Sequence, residues 1–164
     1  MVLLYTASSA LATPLSTPPT KNHAAAPPSV TYGPGVASKR PGASPLQDWY
    51  CTAAAFGGQV SGTSMWGQGL NNCTADMETV DMIMYADYCQ PMMLGCSWQQ
   101  MGEMGSATYQ SVPANSTVWI PSYGSLTWSN GIQPGELWRM RVNVCAYDYV
   151  GRYACTDVEQ NVQF

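Results

Sequence analysis

Residues 137–149 read LWRMRVNVCAYDY, and their apolar and polar side chains alternate with a period of two. One set comprises Trp138, Met140, Val142, Val144 and Ala146, and the other comprises Arg139, Arg141, Asn143, Cys145 and Tyr147. An α-helix, with its period of 3.6 residues, would not separate Arg139 and Arg141 from the apolar set. We therefore predict a β-strand that buries one face in a core.

A second stretch, TVDMIMYADY at 79–88, alternates in the same way, with Val80, Met82, Met84 and Ala86 on one face and Thr79, Asp81, Ile83, Tyr85 and Asp87 on the other. Shorter runs between Gly, Pro and Ser-Asn-Gly turn signals predict further strands at 56–61, 64–70, 97–102, 106–112, 117–120, 125–128 and 153–163. No segment combines helical periodicity with helix caps. About seven to nine short strands in this length indicate an all-β fold, an antiparallel β-sandwich.

Six cysteines lie after residue 50, at Cys51, Cys73, Cys89, Cys96, Cys145 and Cys155. An even count in a small domain without CxxC spacing favours three disulfides over a zinc site, and hence a secreted, extracellular protein. Local geometry favours sequential pairing. Cys145 and Cys155 flank a plausible hairpin turn at 149–152, Cys89 and Cys96 bracket a six-residue loop, and Cys51 and Cys73 remain.

The chain divides into three parts. Residues 2–12 form a short apolar run ending in Ala10-Leu11-Ala12, which predicts a weak or truncated signal segment at 1–12. Residues 13–47 hold eight of the twelve prolines without apolar periodicity, which predicts a disordered Pro/Ala/Ser/Thr-rich linker. The β-sandwich domain is expected at 48–164.

The domain is poor in charge and acidic. Charged residues make up 10% of the chain, against about 25% in ordinary globular proteins. Residues 48–164 carry three arginines against all ten acidic residues, a balance of −7. We therefore expect no nucleic-acid partner, because phosphate binding needs a basic patch. We also expect no anionic-membrane attraction and no membrane span, since the apolar N-terminal run is far below the ~20 residues required.

The motifs Trp49-Tyr50-Cys51, Gly69 shortly before Cys73, and Gly135-Glu136-Leu137-Trp138-Arg139 carry a family resemblance. Through them, residues 48–164 resemble a group of small secreted bacterial proteins, mostly actinobacterial, whose function is unassigned. The resemblance implies a disulfide-bonded β-sandwich outside the cell. It supplies no catalytic residues.

The sequence contains no recognisable set of catalytic residues. A Ser–His–Asp or Cys–His arrangement needs a histidine base, and the single histidine, His23, lies in the predicted linker. A glycosidase needs two carboxylates flanking a cleft, and no spacing singles out a pair among the ten acids. We predict no catalytic residues and no cofactor. The methionines between residues 77 and 104 are potential soft ligands for copper, but core packing is their ordinary role and we expect no metal.

Six tryptophans and ten tyrosines are many for 164 residues. These side chains combine an apolar face with a polar tip, which suits stacking on sugar rings and polar interfaces. We predict Trp66, Trp98, Tyr109 and Trp128 as ligand-binding candidates, although strand packing would use the same residues.

The resulting hypothesis is a secreted, non-enzymatic binding or structural module that contacts a polysaccharide or a partner protein at the cell surface. Two alternatives are a small hydrolase that acts on glycans through an Asp/Glu pair and a secreted toxin or inhibitor held by its disulfides.

Overall fold

The computed structural model describes residues 27–34, 48–61, 64–120, 124–127 and 132–164. Within these residues it contains nine β-strands and no helix. In chain order they are β1 (Ser29–Tyr32), β2 (Cys51–Ser61), β3 (Ser64–Cys73), β4 (Met77–Met92), β5 (Gly95–Val112), β6 (Thr117–Trp119), β7 (Gly124–Thr127), β8 (Leu137–Tyr147) and β9 (Tyr153–Gln163). No helix among the described residues has the length and hydropathy needed to cross a bilayer.

The strands form two antiparallel sheets packed as a β-sandwich, which confirms the predicted fold class. One sheet has the order β1-β2-β3, and both β6 and β7 pair with the free edge of β3. The other has the order β5-β4-β8-β9. We call these the five-stranded and four-stranded sheets.

Most predicted strands occur near their predicted positions. The strands predicted at 97–102 and 106–112 are one long strand, β5, whose pairing with β4 shifts register between Met84 and Tyr85 and again between Ala86 and Asp87. In the sequence, Gly102 and Gly105 suggest that a strand ends between residues 102 and 106. The strand continues instead, because a β-bulge lets a strand pass an unpaired residue without ending.

The linker prediction requires a correction at residues 29–32. They form β1, which pairs with β2 from Ser29↔Ala54 to Tyr32↔Cys51. Tyr32 is buried, and its hydroxyl donates a 3.0 Å hydrogen bond to Oδ1 of the buried Asn71. Burial raises the pKa of the Tyr32 phenol, and the bond to Asn71 partly offsets this. The predicted signal segment and the rest of the predicted linker, apart from residues 27–28 and 33–34, lie outside the described residues.

The core confirms the alternation of β4 and β8. Val80, Met82, Met84 and Ala86 are buried, as are Trp138, Met140, Val142, Val144 and Ala146. Six methionines pack the interior, namely Met65, Met77, Met82, Met84, Met104 and Met140. Flexible thioether side chains fill irregular core space well, so packing accounts for most of the methionine-rich stretch.

Glycines in β3 allow the sheets to approach closely. An added Cβ at Gly67 would lie 2.0 Å from Sδ of Met140, and one at Gly69 would lie 2.7 Å from Cγ1 of Val142. Core side chains of β8 therefore occupy the space where β3 lacks side chains.

We expect Gly69→Ala to lower the free energy of unfolding by about 1–3 kcal/mol, because a branched valine cannot turn away from an inserted methyl group. Urea unfolding of the oxidised protein measures this. Gly105→Ala is the matched control, since its Cβ would come no closer than 3.3 Å to Ile120. Equal tolerance of both substitutions would contradict the close packing of the sheets at Gly69.

The three disulfides pair in sequence, Cys51–Cys73, Cys89–Cys96 and Cys145–Cys155, as predicted. Cys51 lies directly opposite Cys73 in the β2–β3 pair, and Cys145 lies opposite Cys155 in the β8–β9 pair. Cys89–Cys96 connects β4 to β5 near their shared turn. Each bond thus links two adjacent strands.

Candidate functional site

The outer face of the four-stranded sheet holds a network of Asp87, Arg139 and Arg141. Asp87 pairs with Arg139 across β4 and β8, and Arg141 lies two residues along on the same face. Asp87 Oδ2 accepts bonds from Arg139 Nη2 at 2.7 Å and from Arg141 Nε at 3.0 Å. Its side chain is buried, although it lies on the outer face of the sheet. A buried carboxylate needs such partners, because isolating a charge from water is costly.

Aromatic and acidic side chains flank this network. The Arg139 guanidinium lies 4.5 Å from the ring centroid of Trp98, and that of Arg141 lies 4.7 Å from Tyr85. Glu159 Oε1 lies 2.7 Å from Arg139 Nη1, and Asp157 Oδ1 lies 3.7 Å from Arg141 Nη1. Hydrogen bonds to Asp87 raise the pKa of Arg141, against the opposing effect of burial. Each acid of this group forms an ion pair with an arginine, and these pairs connect β4, β8 and β9.

The structure does not bring the predicted aromatic candidates together. Trp98 lies beneath Arg139 on the four-stranded sheet, whereas Trp66 lies on β3 opposite Gly58. The Trp66 ring covers this glycine, so that a Cβ at Gly58 would lie 2.8 Å from Nε1 of Trp66. Tyr109 packs against the core, and its hydroxyl donates to the carbonyl oxygen of Trp119 in the other sheet. Trp128 lies outside the described residues.

A different group of aromatic residues is exposed together, at the turn between β8 and β9. The rings of Tyr147 and Tyr153 stack with centroids 5.6 Å apart. The exposed fractions of Tyr149, Val150 and Tyr153 are 58%, 62% and 63%. We call Tyr147, Tyr149, Val150 and Tyr153 the tyrosine surface. The sequence signal for it was the predicted turn at 149–152 with tyrosines on both sides.

The buried carboxylate of Asp148 fixes the conformation of this turn by accepting hydrogen bonds from it. Its Oδ1 accepts hydrogen bonds from the backbone amides of Val150, at 3.1 Å, and Arg152, at 2.8 Å. Its Oδ2 accepts hydrogen bonds from Nε of Arg152, at 2.6 Å, and from Nε1 of the buried Trp49, at 2.9 Å. Burial alone would raise the pKa of Asp148, but the bonds from Arg152, Trp49 and Val150 outweigh it and hold the pKa below its ordinary value. Together with Cys145–Cys155, these bonds make the turn rigid.

We expect Asp148→Asn to lower the free energy of unfolding by about 1–3 kcal/mol near pH 7, because Arg152 loses a charged partner. A carboxylate with a lowered folded-state pKa contributes stability above its unfolded pKa of about 3.9, and the contribution disappears as pH falls through the folded pKa. The difference between the wild type and the variant should therefore shrink below about pH 4. Denaturant unfolding from pH 7 to acidic pH measures it, and a constant difference would contradict this role.

Among the described residues, no group of three or more His, Cys, Asp or Glu side chains converges as a metal site. Most of the methionines named as potential copper ligands have core partners. Met92 and Met93 are the exposed exceptions.

No protein-family model matches the chain, and no curated protein matches it. Solved structures that match include the sporulation control protein Spo0M of Bacillus subtilis, at 11% sequence identity and a TM-score of 0.31. The match covers 68% of this chain and 49% of that one, so the chain spans about half the length of Spo0M. A similarity of this size does not indicate a function. The resemblance to secreted actinobacterial proteins stays a prediction.

Proposed function

We propose that this protein is a secreted, non-enzymatic module that binds polysaccharide through the tyrosine surface. The observation that carries the proposal is the exposure of Tyr149, Val150 and Tyr153 around one turn, beside the stacked pair Tyr147–Tyr153. Sugar rings present C–H groups to aromatic faces and hydroxyls to polar tips, and tyrosine supplies both kinds of contact.

Rigidity supports this proposal. Binding to a mobile loop costs free energy because the loop must be ordered. The β8–β9 turn is already fixed by four hydrogen bonds to Asp148 and by Cys145–Cys155. The aromatic rings therefore need little reorganisation to contact an extended glycan.

The charges near the tyrosine surface also fit a neutral ligand. Asp148 is buried and bonded to Arg152. The outer face next to the turn continues with Asn143, whose amide donates to Asp157 at 3.0 Å. Paired charges and amides leave a surface suited to hydrogen bonding and stacking. Three disulfides in one domain support secretion.

The test is retention of the full, oxidised chain on a panel of insoluble polysaccharides and cell walls, with soluble sugar assayed in the same tubes. We expect retention without sugar release. The tyrosine variant Y149S/Y153S should lose at least about tenfold in affinity, since two stacking contacts disappear. Trp119→Ser is the matched control, because Trp119 is also half exposed but lies on β6 in the other sheet.

Release of soluble sugar by the wild type would instead support the glycan hydrolase. Retention that the tyrosine variant leaves unchanged would refute the assigned surface. Failure to bind every glycan would refute the polysaccharide ligand and leave a partner protein as the better hypothesis.

A further inference from the structure

The hairpin of β4 and β5 ends in an exposed apolar tip. Met92, Met93 and Leu94 have exposed fractions of 64%, 102% and 102%. The turn residues Met93 and Leu94 therefore have almost no packing contacts. We call Met92, Met93 and Leu94 the apolar tip.

The tip projects from the sandwich. β4 pairs with β8 only as far as Tyr88, whereas its pairing with β5 continues to Met92↔Gly95. The hairpin thus extends four residue pairs past β8, roughly 13 Å at strand spacing. Cys89–Cys96 closes this extension and limits its flexibility. Large apolar side chains fixed at the end of a projection indicate an interaction site.

The chemistry around the tip restricts what it contacts. Residues 88–102 contain no charged side chain, in a domain with a balance of −7. At the base of the extension, the side-chain amide of Gln99 donates a hydrogen bond to that of Gln90 across the hairpin. The projecting part therefore combines apolar side chains with neutral, internally bonded amides and excludes the negative charge found elsewhere.

We infer that the apolar tip inserts into the interface of an electrically neutral lipid membrane. A convex tip needs a matching pocket in a protein partner, but none in a fluid bilayer. Methionine and leucine side chains gain free energy on leaving water, and methionine adapts to an irregular, mobile environment. An anionic bilayer would repel the acidic domain. A neutral lipid membrane therefore suits both the apolar side chains of the tip and the negative charge of the domain. The apolar tip is a separate site from the tyrosine surface.

The experiment is co-sedimentation of the full, oxidised chain with phosphatidylcholine vesicles. We expect binding that falls by about tenfold or more in the tip variant M93N/L94N. The unfolding midpoint of this variant should equal that of the wild type, because the replaced side chains touch almost nothing. The tyrosine variant Y149S/Y153S is the matched control: it removes two exposed side chains from the opposite hairpin and should bind vesicles as the wild type does.

Lipid composition provides a second, independent test. Including about one-third phosphatidylserine should weaken binding, contrary to the behaviour of proteins attracted by basic patches. Absence of vesicle binding, stronger binding to the anionic vesicles, or equal binding by the tip variant would each overturn the inference. Lipid-free self-association that the tip variant abolishes would also overturn it, by assigning the tip to a second copy of the chain.

Discussion

Asp87→Ala is expected to lower the free energy of unfolding by about 3–5 kcal/mol, because it removes the buried carboxylate that both Arg139 and Arg141 share in a largely buried setting. The half-exposed Glu159 and Asp157 stay beside the two arginines but do not replace the bonds to Asp87. Asp87 is the carboxylate that joins Arg139 and Arg141, and it is buried between them. Without it, the two guanidinium groups lie two residues apart on one face of β8 and repel each other. Urea unfolding of the oxidised protein at neutral pH measures the loss.

Asp81→Ala is the matched control for this prediction. Asp81 lies on the same face of β4 and accepts a 2.7 Å bond from Thr108, but it forms no ion pair with an arginine among the described residues. We expect a loss of about 1 kcal/mol or less, the usual contribution of one neutral-donor hydrogen bond. Adding R139M/R141M to Asp87→Ala should recover part of the stability. Similar losses for Asp81 and Asp87 would contradict the role assigned to the network.

Trp49→Ala is the second substitution with a large expected effect, also about 3–5 kcal/mol. Trp49 is buried just before β2, and its indole donates to Asp148 in the turn between β8 and β9. Its removal creates a cavity and releases one of the bonds that fix this turn. The free energy of unfolding measures the first effect, and hydrogen exchange of the amides of Val150 and Arg152 measures the second.

Two variants separate these contributions. Tyr50→Ala removes an exposed neighbouring aromatic side chain and should change stability by less than about 0.5 kcal/mol. Trp49→Phe keeps most of the volume but loses the donor, so it should cost less stability than Trp49→Ala while still accelerating exchange in the turn. Unchanged exchange in both Trp49 variants would show that Trp49 does not hold the turn.

Several features of the fold could be predicted from local sequence, since strand alternation and turn residues act over short distances. β4, β8 and the turn at 149–152 are examples, and nearby cysteines indicated their own pairing. β1 could not be predicted, because four residues among prolines are too few for a periodic pattern. Only pairing with β2 and burial of Tyr32 make this segment a strand.

The candidate sites depend on tertiary contacts that alternation does not specify. Trp66 covers Gly58 because of the β2–β3 register, and Trp98 lies under Arg139 because β5 and β8 both flank β4. The sequence contains the tryptophans but does not indicate that Trp66 contacts Gly58 or that Trp98 contacts Arg139. The exposure of Tyr149 and Tyr153 at the end of the β8–β9 hairpin also depends on the tertiary structure, although the predicted turn places them close to each other in the sequence.

The most direct test of the tyrosine surface is NMR shift mapping of the full, oxidised chain during titration with soluble oligosaccharides of several glycan classes. The account predicts that a binding oligosaccharide causes its largest amide shifts at residues 147–153, with side-chain shifts at Tyr149 and Tyr153. Largest shifts around Trp66 or the apolar tip, or no shift with any class, would contradict it.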